Sequence, residues 1–205
     1  PEPHEIQENA LAALQSTRDE GNRAGLVVLA TGLGKTWLAA FDSNQEQFGR
    51  VLFVAHREEI LKQALATFRR IRPHATLGMY TGTTKQEDAD VLFASVQTLG
   101  RQRHLDRFDP SEFDYIVVDE FHHAHAKTYR KLIDHFVARF LLGLTATPER
   151  TDGGDILSLC EGNLVYRCDL MEGIRRGHLS AFRYYGVPDG IDYTNIPWRS
   201  GRFDP

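Results

Sequence analysis

Cysteine is scarce in this sequence, and its scarcity excludes two classes of small domain. The chain of 205 residues contains only Cys160 and Cys168. Two cysteines provide neither a disulfide framework nor the ligand pattern of a structural zinc site. We therefore expect a fold that a hydrophobic core stabilises, and a reducing, cytoplasmic location.

Long apolar runs and a strong net charge are also missing. The apolar runs are far shorter than the roughly 20 residues that a membrane-spanning helix needs, and no signal-peptide pattern opens the chain. We therefore expect no membrane partner. The formal net charge is −4, so any surface that attracts nucleic acid has to be local. Because the sequence begins with Pro1 rather than Met, we expect it to be part of a longer protein.

Residues 26–36, with the sequence LVVLATGLGKT, are the most informative stretch. An apolar strand over 26–30 precedes a glycine turn, and Lys35 opens a helix. Such a turn directs backbone N–H groups at a phosphate, and the helix N-terminus adds a positive partial charge. Lys35 is placed to reach the β- and γ-phosphates, and the Thr36 hydroxyl to ligate Mg²⁺. Leu29 replaces the first glycine of the general motif, but the remainder still predicts a nucleoside triphosphate site.

Strands and helices alternate along the chain, which is typical of an α/β domain with a largely parallel sheet. The expected strands are residues 26–30, 51–55, 77–81, 91–96, 115–118 and 140–144. The expected helices are residues 3–20, 35–43, 56–71, 127–139 and 171–177, with Trp37, Leu38 and Phe41 of the second and Val137 of the fourth facing a core. Ligand chemistry then belongs at the carboxyl ends of the strands.

Two acidic residues follow the apolar strand at 115–118, where a phosphate-binding enzyme needs a carboxylate for its metal ion. Asp119 is expected to coordinate Mg²⁺, and Glu120 to polarise the water that attacks the γ-phosphate. Capping of the next helix is the structural alternative for this pair. The phosphate-binding turn upstream favours the catalytic interpretation.

Together these segments resemble the first RecA-like domain of superfamily 2 helicases, over about residues 4–180. Motif I corresponds to residues 30–36, and this family often replaces the first glycine of that motif. Motif II, of the DExH type, corresponds to residues 119–122, and motif III to residues 145–147. Residues 54–57 resemble motif Ia, and residues 94–99 resemble a strand-end segment that touches the nucleic-acid backbone.

The resemblance implies a three-layer RecA-like P-loop NTPase domain that uses ATP and Mg²⁺ and couples hydrolysis to movement along nucleic acid. The implied catalytic residues are Lys35, Asp119, Glu120 and His122, and the implied metal ligands are Thr36 and Asp119. The implied ATP contacts are Gln7, as the adenine-reading glutamine, with Thr31, Gly32, Leu33, Gly34, Lys35 and Thr36.

Two further residue sets follow from the same resemblance. His122, Thr145 and Thr147 are implied to relay the loss of the γ-phosphate, although threonines at a strand end are also ordinary β-branched strand residues. The implied nucleic-acid contacts are Arg57, Thr81, Gly82, Gln97 and Thr98, with Arg101 and Arg103 as additional candidates. These positions contact the backbone rather than the bases, so little sequence preference is expected.

Members of this family use two RecA-like domains, and the second supplies an arginine to the transition state. We expect residues 1–180 to be the first domain and residues 181–205 a crossover toward a second domain that this chain lacks. The chain alone is then expected to bind ATP but to hydrolyse it poorly. The string at 143–152 is more similar to DNA repair and restriction translocases than to RNA-processing proteins, so DNA is the preferred partner.

Two other classes of protein stay open. One is a different P-loop NTPase, such as a nucleotide kinase or GTPase, although residues 119–122 and 145–147 would have no purpose there. The other is a non-catalytic nucleic-acid-binding module with a helicase-like fold, against which the intact Lys35 and Glu120 argue. A zinc site at His122 and His125 lacks a third and a fourth ligand at suitable spacing.

Overall fold

The computed structural model describes residues 1–119, 126–146, 157–182, 198–199 and 202–203. Its strands are β1 (Ala24–Leu29), β2 (Val51–Ala55), β3 (Leu77–Tyr80), β4 (Val91–Ser95), β5 (Tyr115–Asp119), β6 (Phe140–Thr145), β7 (Leu164–Cys168), β8 (Trp198–Arg199) and β9 (Arg202–Phe203). Its helices are α1 (Glu5–Asp19), α2 (Lys35–Ser43), α3 (Glu58–Ile71), α4 (Val96–Leu99), α5 (Gln102–Leu105), α6 (Ala126–His135) and α7 (Leu170–Arg175).

Strands β1 to β7 form one sheet in the order β3-β4-β2-β5-β6-β1-β7. Every pairing within it is parallel. The central strands β1, β2, β4 and β5 are buried along their whole length, as expected when helices cover both faces of a parallel sheet. The predicted α/β class with a largely parallel sheet is confirmed.

The two faces of the sheet carry separate helical layers. Helices α1, α2 and α3 pack on one face, through Ile6, Leu38 and Phe68 among others. Helices α4, α5 and α6 contribute to the core on the other face, through residues that include Leu99 and Leu132. Alternate residues of each strand supply the two cores, because successive side chains of a strand point to opposite faces. None of the described helices is long and apolar enough to cross a membrane.

Helix α6 is shorter than its apolar periodicity predicts. It ends at His135, not at residue 139. The backbone N–H of Val137 instead donates to the carbonyl of Pro110, and that of Arg139 donates to the carbonyl of Asp114. These bonds turn the chain into β6 and leave the Val137 side chain 60% exposed, so its predicted inward position is wrong.

A buried charged network ties α1, α2 and β5 together. The two guanidinium nitrogens of Arg18 lie 2.8 and 2.9 Å from the carboxylate oxygens of Asp42, and the Tyr115 hydroxyl donates to the same carboxylate. The Asp42 side chain is 1% exposed. Burial, followed by the charge of Asp42, raises the pKa of Tyr115, so that hydroxyl keeps its proton at neutral pH. The guanidinium also lies 5.0 Å from the centre of the Phe140 ring.

We expect Asp42→Ala to lower the free energy of unfolding by about 3–5 kcal/mol, because it leaves the charge of Arg18 buried without its partner. The matched control is Arg139→Ala, which breaks an ion pair with Asp114 in which the Arg139 side chain is 67% exposed. That loss should stay below about 1 kcal/mol. Urea unfolding measures both, and equal losses would contradict a special role for the buried network.

Candidate functional site

The functional candidates meet at the carboxyl-terminal edge of the sheet. Strand β6 lies between β5 and β1, with Asp119 of β5 opposite Leu144 and Val28 of β1 opposite Thr145. The loop after β1, the end of β6 and the end of β5 are therefore adjacent. Parallel pairing brings together residues that lie more than 80 positions apart in the sequence.

The loop between β1 and α2 has the backbone geometry of a phosphate cradle. Gly32 and Gly34 have φ angles of 93° and 74°, in the left-handed region that favours glycine. Gly34 is the N-cap of α2, and the Leu33 N–H donates to the Ala30 carbonyl at 3.1 Å. The first N–H groups of a nine-residue helix thus adjoin the loop. The arrangement suits an anion such as a phosphate group.

Lys35 contacts Leu29, the residue that replaces the first glycine of the general motif. Leu29 is fully buried at the end of β1, where its side chain belongs to the core that α1 and α2 cover. Its carbonyl accepts a bond from the Lys35 ammonium at 3.4 Å. The lysine side chain therefore folds back across the loop. Thr36 follows in the first turn of α2 and is half-buried.

Gln7 lies against the same loop, although 27 positions separate it from Gly34. Its side-chain nitrogen donates to the Gly34 carbonyl at 3.1 Å, and its oxygen accepts from the His4 backbone at 3.1 Å. The residue is 4% exposed. A Cβ added at Gly34 would lie 2.5 Å from that nitrogen. Gln7 thus connects the start of α1 to the loop, and both polar atoms of its amide have protein partners.

A cleft of about 280 Å³ opens beside Gln7 and the loop. Trp37 and Phe41 of α2 form its aromatic wall, and Pro1, Glu2, His4, Gln7, Gly32 and Gly34 complete it. Both aromatic residues are half-buried, so the prediction that they face the core is wrong. Their i, i+4 spacing is that of a core-facing stripe, and only the position of α1 shows that they face a cleft instead.

The segment after β7 also packs on the loop. A Cβ at Gly32 would lie 3.0 Å from Leu179, and one at Gly173 of α7 would lie 2.8 Å from the same side chain. The centres of the His178 and His4 rings lie 4.8 Å apart, with the ring planes tilted by 31°. No motif in the sequence predicted this packing, because it joins residues that lie more than 140 positions apart in the chain.

Asp119 and Thr145 reach the shared edge as predicted. Asp119 is the last residue of β5 and is 4% exposed, and Thr145 is the last residue of β6 and is half-buried. A buried carboxylate beside a threonine-bearing loop offers the hard oxygen ligands that Mg²⁺ prefers. Glu120, His122 and Thr147 lie outside the described residues.

The predicted nucleic-acid residues lie at the carboxyl ends of β2, β3 and β4. Arg57 is exposed at the N-cap of α3, and Gly82 is exposed in the loop after β3. Thr81 and Thr98 are 2% and 8% exposed. The Gln97 side chain is half-buried, and its nitrogen donates to the His56 carbonyl at 2.8 Å.

Side-chain contacts at these strand ends stabilise the loops. Ser95 caps α4 by accepting from the Thr98 N–H at 3.3 Å, and its hydroxyl donates to the Gln97 oxygen at 3.0 Å. The two threonine side chains therefore face inward, and Arg57 and Gly82 form the accessible part of this set.

Both thiols are poor nucleophiles. Cys160 and Cys168 are buried, and burial raises the pKa of Cys160 to about 12. Burial also raises the pKa of Cys168. Because the thiolate is the reactive form, the described site does not provide cysteine chemistry at neutral pH.

Comparisons with known proteins agree with this geometry. The family model described as "Type III restriction enzyme, res subunit" matches residues 1–150. IRC3 of Saccharomyces cerevisiae, named as an ATP-dependent helicase, is 32% identical over 94% of this chain and 30% of its own length. A protein of Kineococcus radiotolerans named DNA 3'-5' helicase XPB is 34% identical over 66% of this chain and 26% of its own length. The chain thus spans about a third or less of these relatives.

A solved structure shares the fold. The nuclease-deletion mutant of the type ISP restriction-modification enzyme LlaGI, in complex with a DNA substrate mimic, superposes with a TM-score of 0.66 at 17% identity. The match covers 87% of this chain and 21% of that one. At this level of identity the likeness concerns the fold alone.

The contact between Gln7 and Gly34 can be tested by thermodynamics. We expect Gly34→Ala to destabilise the protein more than Gly162→Ala. Both positions have a φ of 74°, but nothing lies within 4 Å of a Cβ at Gly162. Left-handed strain of about 1–2 kcal/mol is common to both variants. The additional loss of unfolding free energy in Gly34→Ala, here called the excess, therefore measures the contact with Gln7. In a Gln7→Ala background the excess should vanish in urea unfolding, and its persistence would contradict the contact.

Proposed function

Because this chain belongs to the type III restriction enzyme res subunit family, within the superfamily 2 helicases, we propose that it is the ATP-binding part of a motor that acts on DNA. It is the first RecA-like domain of such a helicase, as its motifs predicted. One observation carries the proposal: parallel pairing brings the phosphate cradle together with Asp119 and Thr145 on three adjacent strands.

The roles of the loop residues follow from their positions. The loop N–H groups and the N-terminus of α2 would bind the phosphates, and Lys35 would leave the Leu29 carbonyl to bind the β- and γ-phosphates. Thr36 and Asp119 would hold Mg²⁺, which neutralises phosphate charge when bound. By its place directly after Asp119, we assign Glu120 to orienting the attacking water and accepting its proton.

The coupling residues form the second part of the proposal. Thr145 ends β6, between the strand that precedes the phosphate cradle and the strand that ends in Asp119. A hydroxyl in this position can exchange hydrogen-bond partners when the γ-phosphate leaves. We assign the same role to His122 and Thr147 by their places in motifs II and III.

The cleft beside Gln7 is proposed to hold the nucleobase. It adjoins the loop at Gly32 and Gly34, and Trp37 offers an aromatic surface. The Arg70 guanidinium lies 5.6 Å from the centre of the Trp37 ring, which supports that ring from one side. Since both polar atoms of Gln7 have protein partners, reading of adenine by Gln7 requires one of these bonds to be exchanged.

The partners are proposed from relatives, and the location is proposed from the sequence alone. A relative named as a DNA helicase and a family named for restriction enzymes favour DNA over RNA. The residues that would line the path of the DNA are Arg57, Thr81, Gly82, Gln97 and Thr98. The buried Thr81 and Thr98 would act by shaping the loops. A second RecA-like domain, joined through residues 181–205, would supply the missing arginine, so residues 1–205 alone would hydrolyse ATP slowly. We propose a cytoplasmic location.

ATP turnover by the full-length protein tests this function. It is measured without polynucleotide and then with single-stranded DNA, duplex DNA or RNA. We expect stimulation by DNA and its loss in Lys35→Ala and in Glu120→Gln, because one removes the phosphate ligand and the other the base. Absent turnover with nucleotide still bound would favour a non-catalytic binding module. Turnover that no polynucleotide stimulates would favour a different P-loop NTPase.

The nucleobase cleft gives a separate prediction. Trp37→Ala should weaken ATP binding about tenfold, since stacking of a base on an aromatic side chain is worth roughly 1–3 kcal/mol. Trp37→Phe, the matched control, keeps an aromatic surface and should bind within about threefold of the unaltered protein. Titration with a fluorescent ATP analogue measures both. Unchanged affinity in the alanine variant would place the base elsewhere.

A further inference from the structure

Helices α5 and α6 border a groove of about 490 Å³ on the opposite face of the sheet from α3. Lys127, Arg130 and Lys131 of α6 line it, at the i, i+3, i+4 spacing of one helix face. Helix α5 contributes Gln102 and Leu105. We name this feature the α5–α6 groove.

Two more arginines accompany the groove. Arg103 belongs to α5, and Arg101 immediately precedes it. Arg101, Arg103, Lys127 and Lys131 are exposed and form no ion pair with any described residue. Two carboxylates lie nearby, Asp134 in the lining and Asp106 at the end of α5, where it accepts from Gln102. Cations outnumber carboxylates here, in a chain whose net charge is −4.

The surroundings of His104 reflect the same concentration of charge. Burial, followed by the positive charges of Arg103, Lys85, Arg101 and Arg107, lowers the pKa of His104. Of these cations, Arg107 is already paired with Glu87, at 2.7 and 3.0 Å. The positive potential around α5 is therefore carried by side chains that a ligand can still reach.

The strand-end residues lack such charge. Among the five strand-end positions assigned to nucleic acid, which leave aside Arg101 and Arg103 beside α5, only Arg57 is cationic, and both threonines are buried. Affinity for a phosphodiester backbone depends mainly on cations that displace counterions. A protein that binds duplex DNA along this edge therefore needs basic residues nearby, and the α5–α6 groove supplies them.

The α5–α6 groove lies next to the helix that carries part of the strand-end set. Helix α4 carries Gln97 and Thr98, and it packs closely on α6, where a Cβ at Gly100 would lie 2.2 Å from Thr128. Packed helices lie about 8–10 Å apart, so the α5–α6 groove adjoins the strand ends on the side of α6. We propose that the α5–α6 groove binds the second strand of duplex DNA while the strand ends hold the first; this rests on the proposed function.

Three double variants of the chain test the groove. Lys127→Ala/Lys131→Ala removes two cations that line the groove. Arg101→Ala/Arg103→Ala removes two that adjoin it, at the start of α5. The matched control, Lys62→Ala/Arg69→Ala, removes two exposed cations from α3 on the other face of the sheet. Binding of a labelled blunt duplex, and of one of its strands, is measured by fluorescence anisotropy between about 50 and 200 mM salt. Thermal unfolding and ATP-analogue binding verify that each variant is folded.

Each groove variant should bind the duplex about tenfold or more weakly, and its slope of log affinity against log salt should fall by about 1.8, because each lost phosphate contact removes about 0.9. In the lysine variant, single-strand affinity should change by less than about threefold. The α3 control should match the unaltered chain in both measurements. If the lysine variant misfolds, the arginine variant still tests the loss of duplex affinity.

Two results would overturn the inference and leave the proposed function intact. In one, the groove variants bind the duplex as the unaltered chain does. In the other, the lysine variant loses single-strand and duplex affinity equally, which would place the first strand in the groove. Failure of the unaltered chain to bind either DNA, with the ATP analogue still bound, would overturn the inference together with the proposed DNA partner.

Discussion

Parallel pairing of β1 with β6 and of β6 with β5 is the constraint on which the candidate site depends. Strand β6 fixes the relative heights of the phosphate cradle and Asp119, because Val28 and Asp119 lie opposite consecutive residues of the same strand. In a parallel sheet all carboxyl ends share one edge. The site is thus assembled by backbone hydrogen bonds within the sheet, and its loops need only extend from that edge.

The cradle itself depends on contacts from both ends of the described domain. Gln7 of α1 bonds to the Gly34 carbonyl, while Leu179, after α7, lies against Gly32. Neither glycine has room for a side chain without movement of these neighbours. Two separate segments thus hold the loop, so its N–H groups would be positioned before any ligand arrives. Such preorganisation reduces the conformational entropy that binding would otherwise cost.

The charged residues discussed above form two groups, one buried within the fold and one exposed on its surface. The buried pair of Arg18 and Asp42 joins elements of one helical layer and has no access to ligand. The exposed cations of α5 and α6 lie on the other layer and leave their charge available. A modest negative net charge is therefore compatible with a basic surface, because interactions between exposed charges fade within about 10 Å at moderate ionic strength.

The sequence by itself determined six of the seven strands of the main sheet, the bounds of α2 and the glycine turn that joins β1 to α2, because apolar runs and glycine turns are local signals. It could not place Trp37 and Phe41, whose helical spacing suits a core or a cleft equally well. It also extended α6 past His135, where hydrogen bonds to distant residues 110 and 114 prevail over periodicity. Only the tertiary structure decided these features and the basic groove, because each depends on elements that are far apart in the chain.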